Sequence, residues 1–236
     1  MKTAPLDSKY LDESPAGVLD QSLIDQPHEA HAEIGVARRD ITPPFGIYGP
    51  VWGFSTHDGS SRGTHKPIYA TALAITAHSG AKPTVILALD LGTSGDLTGL
   101  EDEWIRESVV KDLNIPISNL MLASSHTHGA PWPYRSRTEF PGGDLIEGYL
   151  ELMKSAILEA SREAIATAED CIITFKEGRC DLAKNRNLAD PANPTRFLTG
   201  YNPSNKSITD DTIMVGRVTR VSDNSIKATV VNYACH

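Results

Sequence analysis

The sequence predicts an α/β domain in which a mixed β-sheet core is flanked by amphipathic helices, and three observations carry that prediction. Apolar runs of strand length recur at residues 68–77, 84–90, 120–123 and 171–175, and a pair rich in Val, Ile and Thr follows at 212–221 and 225–234. Two segments, 100–113 and 144–165, repeat apolar residues at helical intervals. Strands and helices alternate along the chain, with no internal repeat or low-complexity segment.

Residues 1–33 are rich in Asp, Glu, Ser, Pro and Gln, a composition that buries too little apolar surface to offset ordering entropy, and they are expected to form a flexible N-terminal arm. The folded domain is expected over residues 34–236. It opens with a short strand from Ile34 that runs through Arg38-Arg39-Asp40-Ile41-Thr42 into Pro43-Pro44, which cannot continue a ladder. A long loop follows, marked by Gly46, Gly49, Pro50 and Gly53 and carrying His57, Asp58, Arg62 and His65. Long loops in compact domains tend to be functional, although isolated loop histidines are more often solvated than ligating.

The runs at 68–77 and 84–90 are apolar on both alternating faces, as strands covered on both sides would be. Asp90 closes the second run, ahead of Ser94 and Asp96, and from sequence it serves equally well as a site residue or as a cap for the next turn. Trp104, Ile105, Val109 and Leu113 set one helix, which Pro116 stops. Asp144 and Glu147 have the spacing of a capping box for the second helix, whose stripe runs from Leu145 through Tyr149, Met153, Ile157 and Ala160 to Ile165. After the strand at 171–175, the polar stretch 184–191 and Pro191, Pro194, Gly200 and Pro203 read as another long loop. The last two strands form a hairpin about Ser222-Asp223-Asn224-Ser225, and the second leads into Cys235-His236.

Composition excludes several function classes. A 236-residue chain with 40% apolar and 22% charged residues is that of an ordinary globular domain, and its net charge of -8 without Lys/Arg runs speaks against nucleic acid as a partner. No run approaches a membrane span and no signal peptide is visible, so the expected location is the cytoplasm. The three cysteines, Cys171, Cys180 and Cys235, match no CxxC zinc spacing and read as reduced and structural. Dinucleotide, P-loop and serine-hydrolase fingerprints are absent from the sequence.

What remains is Ser125-His126-Thr127-His128-Gly129-Ala130-Pro131, directly after an apolar strand. If the strand continues, alternation turns His126 and His128 to one side, where two imidazoles can serve one metal or catalytic centre. Spacing alone allows the plainer alternative that both rings only hydrogen-bond to nearby carbonyls.

Four motifs taken together, 35–44 (GVARRDITPP), 125–131 (SHTHGAP), Asn185-Arg186 and 231–236 (VNYACH), resemble in order and spacing the neutral/alkaline non-lysosomal ceramidase family. The resemblance covers the chain from about residue 34 onward. It implies a zinc amidohydrolase that cleaves a ceramide-like N-acyl amide to a fatty acid and a sphingoid amine, with His126 and His236 as metal ligands. It also implies that His128 lies in the site as a catalytic group and that Arg186 meets the substrate or transition state. The remaining ligands, a Glu and a Tyr, belong in the family to a later segment, so the chain is expected to be an incomplete catalytic domain, inactive by itself. Gly129-Ala130-Pro131-Trp132-Pro133 is less glycine-rich than the ceramidase form. A hydrolase of a different amide or ester therefore stays open, as does a non-catalytic binding domain of the same fold. Oligomeric state is not legible.

Overall fold

The computed structural model describes residues 28–49, 59–92, 99–200 and 209–234. Among these, nine strands and two α-helices build a mixed α/β architecture, as the sequence predicts. The strands are β1 (His28–Asp40), β2 (Tyr69–Thr76), β3 (Thr84–Leu89), β4 (Leu120–Ser124), β5 (Glu169–Arg179), β6 (Asn187–Asp190), β7 (Asn193–Thr199), β8 (Thr212–Arg220) and β9 (Ile226–Tyr233). The helices are α1 (Leu100–Leu113) and α2 (Ile146–Ala166). Seven strands form one sheet in the order β4-β3-β2-β1-β5-β8-β9, and β6 pairs with β7 separately. Only β3 and β4 run parallel within the large sheet, joined by α1 as a strand-helix-strand crossover.

Burial alternates along β1 in step with the pleat. Gly35, Ala37 and Arg39 face α2, while Ala32, Ile34 and Val36 face the other side and join Leu73, Cys171, Ile173 and Val218 in a second apolar cluster. Gly35 is required where it stands, because a Cβ there would lie 1.7 Å from the Ala164 carbonyl oxygen. That close approach lets α2 settle onto β1 and β2 with Tyr149, Leu150, Met153, Ile157 and Ala160 buried between them. Arg39 then reaches up from β1 to pair with Glu159 and Glu163 on the helix. At the far side of the sheet, Glu169 joins β5 to the last hairpin through Arg220 at 2.9 Å and Lys227 at 2.5 Å, and those cations hold its carboxyl below the usual range.

Several expectations need correction. β1 begins at His28 rather than Ile34, because residues 28–33 are held by a backbone ladder to β5, from His28↔Phe175 to Glu33↔Asp170, with Ala32 the one buried side chain among them. Residues 1–27 of the expected arm lie outside the described residues. β3 is covered on one face only, with Val85, Leu87 and Leu89 buried while Thr84 and Ala88 are exposed, because both helices pack on the same side of the sheet. No capping box forms at α2. Its first turn is preceded by a 3-10 turn, Gly143–Leu145, no side chain caps it, and Glu147 instead binds Arg135 at 3.0 Å. The expected loop at 184–200 contains the β6–β7 hairpin, closed by Asp190 accepting the Ala192 amide and pairing with Arg196.

Helix α1 is tied to its surroundings by a buried acid. Glu101, only 2% exposed, accepts the backbone N–H of Arg135 at 2.9 Å, and the Arg135 guanidinium and Lys154 ammonium both lie over Trp104 at 4.7 and 4.6 Å. These contacts fix the chain just after the histidine motif. Among the described residues, no helix is long and apolar enough to cross a membrane.

Candidate active site

The parallel strands β3 and β4 end side by side, with Leu89 opposite Ser124, so the segments that leave them emerge from one edge of the sheet. Such strand ends are where α/β sheets place their sites. Ser125 extends the pairing one step by donating its N–H to the Leu89 carbonyl at 2.9 Å. There the extended chain stops, because His126 has a φ of 56°, in the left-handed region. His126 and His128 are therefore not strand neighbours sharing a face by alternation. A turn brings them together, edge to face, with ring centroids 4.9 Å apart and planes at 87°.

The turn also sets the tautomer of His126. Its Nδ1 lies 2.6 Å from the Gly92 carbonyl oxygen, which can only accept, so Nδ1 carries the proton and donates. In the neutral ring this leaves Nε2 with a lone pair, the arrangement of a metal-ligating histidine held by a carbonyl behind it. The donor chemistry of His126 thus fits a zinc ligand. His236 and Cys235 lie outside the described residues, as do His57, Asp58, Ser94 and Asp96. Among the described residues, no three His, Cys, Asp or Glu side chains come together as a metal-binding group.

His128 lines a cavity of about 250 Å³ with Thr127, Gly129, Ala130 and Pro131. The rest of its lining comes from Thr42, Pro43, Ile47 and Gly49 and from Ser61, Gly63, Thr64, His65, Lys66 and Ile68. The segment after β1 is held rigidly. Asp40 accepts the Thr42 amide at 2.7 Å, the Thr42 hydroxyl oxygen accepts the Ile68 amide at 3.1 Å, and the buried Tyr149 hydroxyl donates to the Ile41 carbonyl at 2.7 Å. The Thr42 hydroxyl and amide hold the Asp40 carboxyl below the usual range. So the residues around Asp40-Ile41-Thr42-Pro43 build a wall of the cavity. The long loop is not structureless either, since Tyr48 bridges to Ser60 and the Ser61 amide donates to Ile47 at 2.8 Å.

Other sequence candidates fall elsewhere. Asp90 accepts the Tyr69 amide at 3.0 Å and donates its own amide to the Tyr69 carbonyl, which makes it the clasp of β2 and β3. Arg186 is exposed just before β6 and is not among the residues lining the cavity. Cys171 is buried, and burial pushes its thiol pKa up, which suits a structural role. Ser61, Thr64 and Lys66, which sequence reasoning did not single out, line the cavity with His65, which the sequence reading named on the long loop but weighed as more often solvated; their one signal was the length of that loop.

By sequence, the chain matches no family model and no curated protein. By structure, it is similar to a ceramidase complexed with C2, at 19% identity and a TM-score of 0.63, and to neutral ceramidase from Pseudomonas aeruginosa, at 17% and 0.60. The chain has a ceramidase-like fold. Each superposition covers 86% of this chain and 31% of the ceramidase, so the ceramidase-like fold described here spans under a third of those longer chains.

Proposed function

We propose that the chain carries part of a zinc-dependent amidohydrolase site, which cleaves an N-acyl amide with water to release a carboxylic acid and an amine. The observation that carries this reading is the left-handed turn at His126, with its Nδ1–H committed to the Gly92 carbonyl. A non-glycine residue in that region costs of order 1–3 kcal/mol, a strain that an ordinary strand end has no reason to keep. The ceramidase-like fold supports the same reading, and the solved relatives point to a ceramide-like lipid amide as substrate.

His126, through Nε2, and His236 would hold the metal. Zinc bound there supplies Lewis acidity and lowers the pKa of water to roughly 7. His128, beside His126 and lining the cavity, would orient the attacking water or donate to the oxyanion that develops on the acyl carbon. Arg186 is assigned to the developing negative charge, by its motif. Pro43, Ile47, Ala130 and Pro131 offer an apolar wall on which acyl carbons can pack. A second reading, a hydrolase of a smaller and more polar amide or ester, is favoured by the hydroxyl and cationic groups of Ser61, Thr64 and Lys66 in the same lining.

The test is zinc content after dialysis and release of sphingosine from a fluorescent N-acyl sphingosine, both on the full-length protein. Wild type should keep its zinc and hydrolyse the amide, whereas His126→Ala should lose both. His128→Ala should keep the zinc and lose a factor of about 10²–10⁴ in kcat, the usual contribution of a positioned acid-base group. A wild-type protein with neither zinc nor hydrolysis would instead be a non-catalytic binding domain of this fold.

A further inference from the structure

Asp90 stands where β3 ends and its chain turns toward the histidine motif. In a regular antiparallel ladder, a hydrogen-bonded pair of residues exchanges two backbone bonds. Continuing the register Ala70↔Leu89 by one step would pair Tyr69 with Asp90 in this way. Half of the exchange is made, since the Asp90 amide donates to the Tyr69 carbonyl at 3.0 Å. In the other half the Tyr69 amide donates at 3.0 Å to the Asp90 carboxylate, which stands in for the carbonyl of its own residue. That substitution releases the backbone from the ladder and lets the chain bend away. The Leu91 amide returns to the Leu89 carbonyl at 2.9 Å, a tight three-residue turn, and Leu91 enters the core with no exposed surface. Next comes Gly92, also buried, whose carbonyl accepts from His126 Nδ1 at 2.6 Å. The Leu89 carbonyl also accepts the Ser125 amide at 2.9 Å, so the two arms that meet at His126 start from one anchored atom.

We infer that Asp90 is a positioning residue for the His126 centre. By taking the Tyr69 amide, its carboxylate sets the turn that holds the Gly92 carbonyl against His126 Nδ1, which keeps the ring lone pair on Nε2. Leu91 alone separates the clasp from that carbonyl, and it is locked in the core. A neutral imidazole released from such a partner samples both tautomers, and only one of them offers Nε2 to a metal. The inference rests on the proposed role of His126 as a metal ligand and deepens it, but the tautomer it concerns exists in the metal-free protein as well.

The test uses the full-length protein, metal-free and with isotopically labelled histidine nitrogens, at about pH 8, above the ordinary histidine range. Long-range proton-nitrogen NMR spectra distinguish the two tautomers, His126→Gln identifies the His126 signals, and zinc affinity is measured by competition with a chelator. Wild-type His126 should carry its proton on Nδ1. Asp90→Ala should mix the tautomers and weaken zinc binding about tenfold or more, the usual scale for partners behind a ligating histidine. Asp90→Asn, whose amide oxygen can still accept the Tyr69 amide, should restore both. Leu73→Ala, which loosens β2 further along the strand, should leave the tautomer alone. If Asp90→Ala does not fold, Asp90→Glu, which keeps the charge but moves the acceptor by one methylene, takes its place and should show the same mixing. A folded variant of either kind with His126 still protonated on Nδ1 and zinc affinity unchanged would reduce Asp90 to a strand staple. That result would overturn the inference and leave the metal reading standing. Equal mixing in Leu73→Ala would also overturn it, because the effect would then be general loosening. A tautomer that depends on Asp90 in a protein that binds no zinc would support the positioning role and overturn the metal reading. Wild-type His126 protonated on Nε2 would overturn both.

Discussion

At the scale of single residues, the proposed chemistry rests on His126 and His128, which the sequence offers as a pair following an apolar strand. What the sequence did not convey is how they meet. Alternation along a strand was the expected reason, but the strand ends at Ser124 and a left-handed His126 makes the turn. Backbone strain of this kind leaves no mark in composition, because histidine visits that region only occasionally. Lys66 was hidden for a different reason, and His65 was named only as a solvated loop histidine, since nothing local distinguishes a loop cation lining a cavity from one facing solvent. Arg186 is assigned by motif alone, so its role is open to a direct kinetic test. In the full-length protein, Arg186→Ala should lower kcat/KM about tenfold or more with zinc content unchanged, because a guanidinium aimed at developing charge acts in the transition state. Unchanged kinetics would return it to the solvated surface. Tyr149 gives a prediction for stability. Burial, with a smaller contribution from Asp40, pushes its phenol pKa above the ordinary value of about 10. A raised folded-state pKa means that the folded protein holds the proton more tightly, so this contribution is complete below about pH 10 and is lost as pH rises further. Tyr149→Phe should therefore flatten the alkaline limb of a denaturation curve. It should also cost about 1–3 kcal/mol at neutral pH, by leaving the Ile41 carbonyl without its donor.

At the scale of elements, periodic segments were legible and compensated ones were not. Helix α1 begins and ends at the residues its apolar spacing indicates, with Asn114 in the left-handed conformation closing it. The capping box at Asp144 and Glu147 failed because Arg135 competes for Glu147 and a 3-10 turn takes up the first residues. The β6–β7 hairpin was missed because its strands are short, mostly exposed and mix polar residues with Leu188, Phe197 and Leu198 in no clear alternation. The first half of β1 was missed for a similar reason, since a backbone ladder to β5 needs no apolar side chains. The packing of α2 on β1 can be tested at Gly35. A methyl group there meets the Ala164 carbonyl oxygen, which is backbone and cannot swing aside. Gly35→Ala should destabilise the fold by about 1–3 kcal/mol, toward the upper end, in urea denaturation. A neutral effect would mean that α2 can shift away from the sheet without loss.

For the whole molecule, the sheet, the crossover through α1 and three loop segments converge on one edge, where the cavity lies. Its walls come from residues 42–49, 59–68 and 127–131, far apart in sequence, and backbone hydrogen bonds from Ser61 to Ile47 and from Gly49 to Gly59 lace the first two together. Sequence reading reached the fold class through periodicity, but it could not reach this convergence. That depends on tertiary pairing between stretches with no pattern of their own. The claim on which the rest depends is that the turn at His126 exists to present Nε2 to a metal. X-ray diffraction from zinc-loaded crystals of the full-length protein, recorded at the zinc absorption edge, addresses it directly. An anomalous peak about 2.0–2.1 Å from His126 Nε2, with Nδ1 still bonded to the Gly92 carbonyl, is the expected result. A peak located away from both histidines, or ligation through Nδ1 with the Gly92 bond broken, would contradict it.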